Sequence, residues 1–158
     1  MNYQISAFLD TIAWAEIGPD LLAKSDDGFN VIVGSTPARP LLFFSYADHP
    51  RRSMIVRLGG RILHSTAAGR YQILARYFDH YKRTLALPDF SPESQDAIAI
   101  QLIRECRAIS DISNGRFYVA VHKCRSRWAS LPGAGYGQPE KRLADLRRVF
   151  LQAGGFIA

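Results

Sequence analysis

Apolar side chains recur at three- to four-residue intervals through SAFLDTIAWAEIGPD, and Phe8 and Ile12 lie one helical turn apart. The segment therefore reads as an amphipathic helix, which Gly18 and Pro19 end. GFNVIVGS is a short run rich in β-branched residues, closed by Gly34, and predicts a strand. MIVRLGGRILH holds two further runs around Gly59 and Gly60, a two-residue connection that suits a tight hairpin. From Arg70 the period lengthens: Ile73, Leu74, Tyr77, Phe78 and Tyr81 predict a second helix, stopped by Leu87 and Pro88. Ser91, Pro92 and Glu93 form a strong start signal for a third helix, expected to run to about Ile109. Asn114 and Gly115 mark a turn. Phe117 to Trp128 carries two patterns, alternation at Phe117, Val119 and Val121 and helical spacing at Val121, Cys124 and Trp128; length and a basic outer face favour the helix. Pro139 opens a last helix with Leu143, Leu146 and Phe150 inward, ending at Gly154 and Gly155. The sum is an α+β chain, mostly helical with one small antiparallel sheet.

One position breaks the first pattern. Glu16 falls four residues after Ile12, on the face that should be buried, and in the last turn, where unpaired backbone carbonyls carry partial negative charge. Desolvation and the helix dipole both disfavour its ionisation, so both raise its pKa, and a proton donor is made in this way. The plainer alternative is a solvated carboxylate, or one held by a cation of the chain.

Composition narrows the setting. A chain of 158 residues suits one compact domain spanning residues 1–158, burying roughly 70% of the surface its unfolded form exposes. Twenty basic against fourteen acidic side chains give a net charge of +6, which predicts attraction to nucleic acid, anionic lipid headgroups or a bacterial envelope without choosing among them. The N-terminal MNYQISAFLD has no basic head followed by an apolar run, so a secretory signal is not expected, and no apolar stretch approaches the ~20 residues of a membrane span. Cys106 and Cys124 are expected reduced and buried in a cytosolic product, although they could pair outside.

Most reaction classes lack their residues. His49, His64, His80 and His122 and the two cysteines form neither a HExxH nor a CxxC pair, so no metal is expected, and no cofactor motif is present. A serine nucleophile lacks its GxSxG elbow, and the Gly-rich segments match neither a Walker loop nor a dinucleotide fingerprint. Two polar segments remain. In STAAGRYQI (65–73), Gly69 lets backbone approach a ligand and Gln72 both donates and accepts; its structural alternative is a helix start capped by Ser65 or Thr66. In WASLPGAGYGQ (128–138), three glycines and a proline enclose Tyr136, making a shaped loop that is either connective or presents the ring to a sugar or base.

Taken in order, AFLDTIAWAEIG, GFNVIVGS, SYADHPRR, STAAGRYQI, DFSPESQDAIAIQLIRE and WASLPGAGYGQ resemble the successive motifs of the phage lambda endolysin family over nearly the whole chain. The resemblance implies a lysozyme-like fold, its small sheet flanking a substrate groove, and cleavage of peptidoglycan by a lytic transglycosylase. It makes Glu16 the catalytic acid and implies that Asn30, Ser65, Tyr71, Gln72 and Tyr136 bind the glycan strand. It further implies a monomer that accumulates in the host cytoplasm, inserts in no membrane, and reaches the periplasm and wall at lysis through lesions made by a holin. Two positions depart from the family pattern. Asn30 stands where the family carries an acid and is unable to act as nucleophile or anionic base, and Ala67 stands where glycine is expected.

A glycosidase ordinarily needs two carboxylates. A transglycosylase manages with one, because the C6 hydroxyl of the muramic acid supplies the nucleophile and closes a 1,6-anhydro ring. The rival within the class is hydrolysis by Glu16 with Asp48 or Asp26 guiding water. The rival outside it is a basic nucleic-acid-binding module using the aromatics and arginines of RYQILARYFDHYKR, although Tyr77, Phe78 and Tyr81 lie at core spacing.

Overall fold

In the computed structural model, which describes residues 2–158, nine elements follow one another: α1 (Tyr3–Ile17), α2 (Pro19–Ala23), β1 (Met54–Leu58), β2 (Arg61–Ser65), α3 (Ala75–Thr84), α4 (Pro92–Glu105), α5 (Ile109–Ser113), α6 (Phe117–Cys124) and α7 (Leu143–Gln152). The contacts group into two compact units, one built from the residues up to Glu16 with Ala99–Ala158, the other from Ile17–Ile98.

The first unit packs around aromatic rings. Phe8 of α1 meets Phe117 of α6 edge-on at 6.2 Å and Phe150 of α7 at 6.3 Å, while Phe117 and Phe150 stack at 4.7 Å. All three are essentially inaccessible to solvent, so each contributes the full transfer energy of a large apolar side chain. Gln4, also buried, makes this packing specific. Its amide donates to the carbonyls of Ile112 (3.0 Å) and Phe156 (3.1 Å) and its oxygen accepts from the Phe156 amide (2.8 Å), which ties α1, α5 and the irregular C-terminal segment together.

The second unit has two parts. Ile17, Leu21 and Val31 form one buried cluster with Leu22 and Leu42 against it, and Phe78 and Phe90 form another, ring to ring at 5.0 Å, with His49 at 4.7 Å from Phe90. The hairpin is as expected: β1 and β2 pair antiparallel from Met54↔Ser65 to Leu58↔Arg61. Gly59 and Gly60 have φ of 55° and 77°, the left-handed pair a two-residue turn demands.

Several elements differ from the sequence expectation. GFNVIVGS is no strand: Phe43 N–H donates to Asn30, Ile32 N–H to Leu41, Val33 N–H to Ala67, and Val31 accepts from Gly69, so its backbone serves separate segments and only isolated bridges form. The second helix starts at Ala75 rather than Arg70, because Ile73 pairs with Ala68 across a turn in which Gln72 adopts φ 51°. The third ends at Glu105, short of Ile109. Arg107 turns left-handed (φ 54°) and the Ala108 amide reaches back to the Ile103 carbonyl, a Schellman-type stop, after which α5 begins. Phe117–Trp128 is helical but closes at Cys124. The last helix starts at Leu143, since Glu140 and Lys141 are engaged by the preceding loop, and Leu143 itself faces solvent. Of the trio Tyr77, Phe78 and Tyr81, the latter two are buried while Tyr77 is exposed, with the Arg76 guanidinium 5.0 Å from its ring.

Candidate active site

Phe8 and Ile12 are each 1% exposed on the inner stripe of α1, and Glu16 continues that stripe in the final turn. The Glu16 side chain is enclosed by protein yet keeps partial access to solvent at one side. Burial pushes its carboxyl pKa upward, and this outweighs three opposing influences: the Ser130 hydroxyl, which donates to Oε1, the Ser130 backbone N–H, and the charge of Lys141. Lys141 in turn lies 5.5 Å from the Trp14 ring, two residues before Glu16 on α1, and Arg148 lies 5.9 Å from the same ring. The site is thus a raised-pKa acid with two hydrogen-bond donors and one cation ready to stabilise its anion. Among the described residues, no carboxylate is among the groups that shift it.

Ser130 comes from the loop that the sequence singled out for Tyr136. Trp128 and Leu131 anchor this loop in the core, at 2% and 1% exposure, and Ser130 between them is buried as well. The Lys141 amide donates to the Ser130 carbonyl (2.8 Å), and Glu140 accepts from the amides of Gly133 (2.9 Å) and Gly135 (3.1 Å), which holds its carboxyl below the usual range. Tyr136 has a half-exposed ring, and its hydroxyl donates to the Ser126 carbonyl at 2.7 Å. The ring is therefore presented at the surface with its polar end tethered. Ser130 is the residue that sequence reasoning missed; it lay inside the highlighted segment, but nothing in its spacing pointed to Glu16.

The second unit contains the STAAGRYQI segment, and Gln95 of α4 organises it. This side chain is fully buried. Its oxygen accepts from the Arg70 amide (2.9 Å), and its amide donates to the carbonyls of Phe29 (3.0 Å) and Phe90 (2.9 Å). Gly69 has φ 80°, and a Cβ there would collide with the Gln95 carboxamide, so glycine is required for the helix to approach the loop. Tyr71, expected to touch glycan, is instead 1% exposed, with its hydroxyl donating to Asp96 at 2.5 Å. Its ring fills the unit's interior, because Arg70 on the same turn reaches Asp27 (3.0 Å) and draws the segment inward. Gln72 is half-buried and spends its amide on the Gly69 carbonyl (2.9 Å). Ser65 accepts from the Ala67 amide (3.2 Å), whereas Thr66 accepts from the Ala75 amide (3.0 Å), the first N–H of α3, whose N-cap position is Leu74. An open pocket of about 350 Å3 lies beside them, lined by His64, Thr66, Leu74, Ala75 and Arg76.

Asn30, the amide at the departing position, accepts from the Asp26 amide (2.9 Å) and closes the 26–30 turn. Asp26 accepts from the Tyr46 hydroxyl (2.6 Å), and Asp48 pairs with Arg51 (2.9 Å) and Lys82 (3.8 Å). The Arg51 guanidinium holds the Asp48 carboxyl below its usual range. Glu16 and Tyr136 belong to the first unit, Asn30, Ser65, Tyr71 and Gln72 to the second. Among the described residues, no three His, Cys, Asp or Glu side chains gather into a metal-ligand set.

Residues 6–157 match the sequence model of the Endolysin family. The endolysin of Escherichia phage P2 is 47% identical over 161 residues, covering 99% of this chain and 96% of that protein. The endolysin of Escherichia phage lambda is 46% identical, covering 99% and 95%. Among solved structures, bacteriophage lambda lysozyme complexed with a chitohexasaccharide superimposes with a TM-score of 0.88 at 46% identity, covering 100% of this chain and 98% of that one. A second structure of the lambda lysozyme gives a TM-score of 0.83.

Proposed function

The chain belongs to the endolysin family, and from that premise we propose that it cleaves the MurNAc–GlcNAc bond of peptidoglycan as a lytic transglycosylase, with Glu16 as its one acid-base residue. The observation that carries this reading is the environment of Glu16: a carboxyl at the end of an apolar stripe whose pKa burial raises, with the Ser130 hydroxyl and N–H aimed at its anion and, among the described residues, no carboxylate among the groups that shift it. The lambda lysozyme structure with its chitohexasaccharide supports a glycan as the substrate.

In the first step, Glu16 gives its proton to the glycosidic oxygen and the bond from that oxygen to the muramic C1 breaks. Oxocarbenium character develops at C1. The carboxylate left behind accepts hydrogen bonds from the Ser130 hydroxyl and N–H and faces the Lys141 charge. The same contacts that moderate the raised pKa thus hold the anion for the second step. There Glu16 takes the proton of the C6 hydroxyl as its oxygen attacks C1, closing the 1,6-anhydro ring and restoring the acid. No water is consumed. General acid-base help of this kind supplies about 10²- to 10⁴-fold, and the remainder falls to orientation of the strand and electrostatic stabilisation.

Hydrolysis would need a second carboxylate to position water. Asp26 and Asp48 are both engaged with partners in the second unit, which weighs against either in that role. The mass of the products tests the reading: muropeptides lighter by one water, the mark of anhydro ends, are expected from purified sacculi, and an all-reducing-end digest overturns it. In the same reading the enzyme works as a monomer, accumulates in the host cytoplasm and meets its substrate after a holin opens the inner membrane. Expression alone should leave cells intact, and chemical permeabilisation should lyse them.

A further inference from the structure

Two thiols stand apart from the site above. Cys106 immediately follows α4 and is half-buried; Cys124 is the last residue of α6 and fully buried. The two helix ends are bound together on either side of the thiols. The Glu105 carboxylate pairs with Arg127 at 3.1 Å, and the Lys123 ammonium donates to the Arg107 carbonyl at 3.1 Å. Between these two ties lie Cys106 and Cys124, both of them free thiols. We propose that Cys106 and Cys124 form an oxidation site that closes as an intramolecular disulfide by exchange with a small or protein disulfide.

The order of events follows from access. Cys106 reaches solvent, so its thiolate attacks one sulfur of the oxidant, whose S–S bond breaks to release one thiolate, and that thiolate takes up the proton Cys106 has lost. Cys124, shielded from the oxidant, then attacks Sγ of Cys106 in the mixed disulfide, loses its own proton and expels the second thiol. Two protein thiols are oxidised and the oxidant is reduced to two thiols. The electrostatics favour the same order: the neighbouring Cys124 thiol, with Arg127 and Ser126 assisting, draws the Cys106 thiol below its usual range, while Cys106 and burial push the Cys124 thiol up. The product links the ends of α4 and α6 and encloses α5. Under the route proposed above, closure would accompany passage out of the reducing cytoplasm, but the exchange chemistry does not depend on that route.

The full chain, incubated with oxidised glutathione, alkylated with N-ethylmaleimide under denaturing conditions and weighed intact, reads the outcome. Wild type should lose two hydrogens and take up no alkylating reagent, and dithiothreitol should reverse the change. Cys124→Ala should stop at one glutathione adduct on Cys106. Cys106→Ala, checked for native circular dichroism, should take up no glutathione while folded. A wild-type protein that ends as a stable glutathione adduct, or that is alkylated at both cysteines, overturns the proposal.

Discussion

Glu16 of the first unit and Gln95 of the second are both polar side chains on the inner faces of helices, and their surroundings treat them in opposite ways. Gln95 is fully buried, and its carboxamide makes three hydrogen bonds of 2.9–3.0 Å to loop backbone. Glu16 keeps partial access to solvent, and its bonds to Ser130 do not offset the burial that raises its pKa. A satisfied buried amide is a structural part, because its geometry is fixed and no proton is free to move. A carboxyl left short of compensation holds a proton it is ready to give up. Burial of a polar group is therefore not itself the sign of chemistry; the incompleteness of its satisfaction is.

Replacing each residue separates the two cases. Glu16→Gln should keep the Ser130 contacts, since an amide oxygen still accepts, and should cut lysis by at least about 10²- to 10⁴-fold in a turbidity assay. Normal lysis by this variant would break the contrast at its root. The same variant carries a stability signature. A carboxyl whose pKa is raised in the folded state contributes stability that is full below its unfolded pKa and is lost as pH rises through the folded one. Glu16→Gln should consequently melt above wild type at neutral pH, with the gap closing toward pH ~4.

Gln95→Leu should do the reverse. It leaves the Arg70 amide and the Phe29 and Phe90 carbonyls without this partner, at a cost of about 2–4 kcal/mol in urea unfolding. Any activity loss should track the folded fraction. A variant as stable as wild type would show that Gln95 is not the brace described.

Ser130→Ala sharpens the account of the acid itself. Removing a donor to the anion should raise the Glu16 pKa further, moving the alkaline limb of the pH–rate profile upward by about one unit while kcat falls. A limb that stays in place would mean that Ser130 does not tune Glu16. The smallest effect is expected for Asn30→Asp, in which a carboxylate still accepts the Asp26 amide and the turn persists. Product masses should not change. A switch to reducing ends would mean that a carboxylate at this position governs the outcome after all.

The parts of the fold legible in the sequence are those decided by neighbours a few residues away. The stripe of α1 was visible as a period, the hairpin as Gly59-Gly60 between alternating runs, and the start of α4 as Ser91-Pro92, where the Ser91 hydroxyl accepts the Ser94 amide at 3.3 Å. The stretch at 29–34 misled because its β-branched composition is that of a strand, while its backbone partners lie in two different loops. The start of α3 misled because the apolar period runs through Ile73 and Leu74, although the Gln72 turn already fixes their backbone otherwise. Within the candidate site, Glu16 was legible as a misplaced charge on an apolar stripe. Tyr71 was not, since an aromatic beside Gly and Gln looks the same whether it faces a ligand or Asp96.

The chain's pattern by itself determined an α+β architecture, the position of the odd carboxylate at the end of α1, and membership of a family through motifs in a fixed order. Only the tertiary structure decided that Ser130, 114 residues further along, donates to that carboxylate. Only it decided that Gln95 braces the loop around Gly69, and that Cys106 and Cys124 lie between the same two ties. Local periodicity and turn chemistry act over three or four residues, whereas desolvation and hydrogen-bond satisfaction depend on which distant segments close around a group.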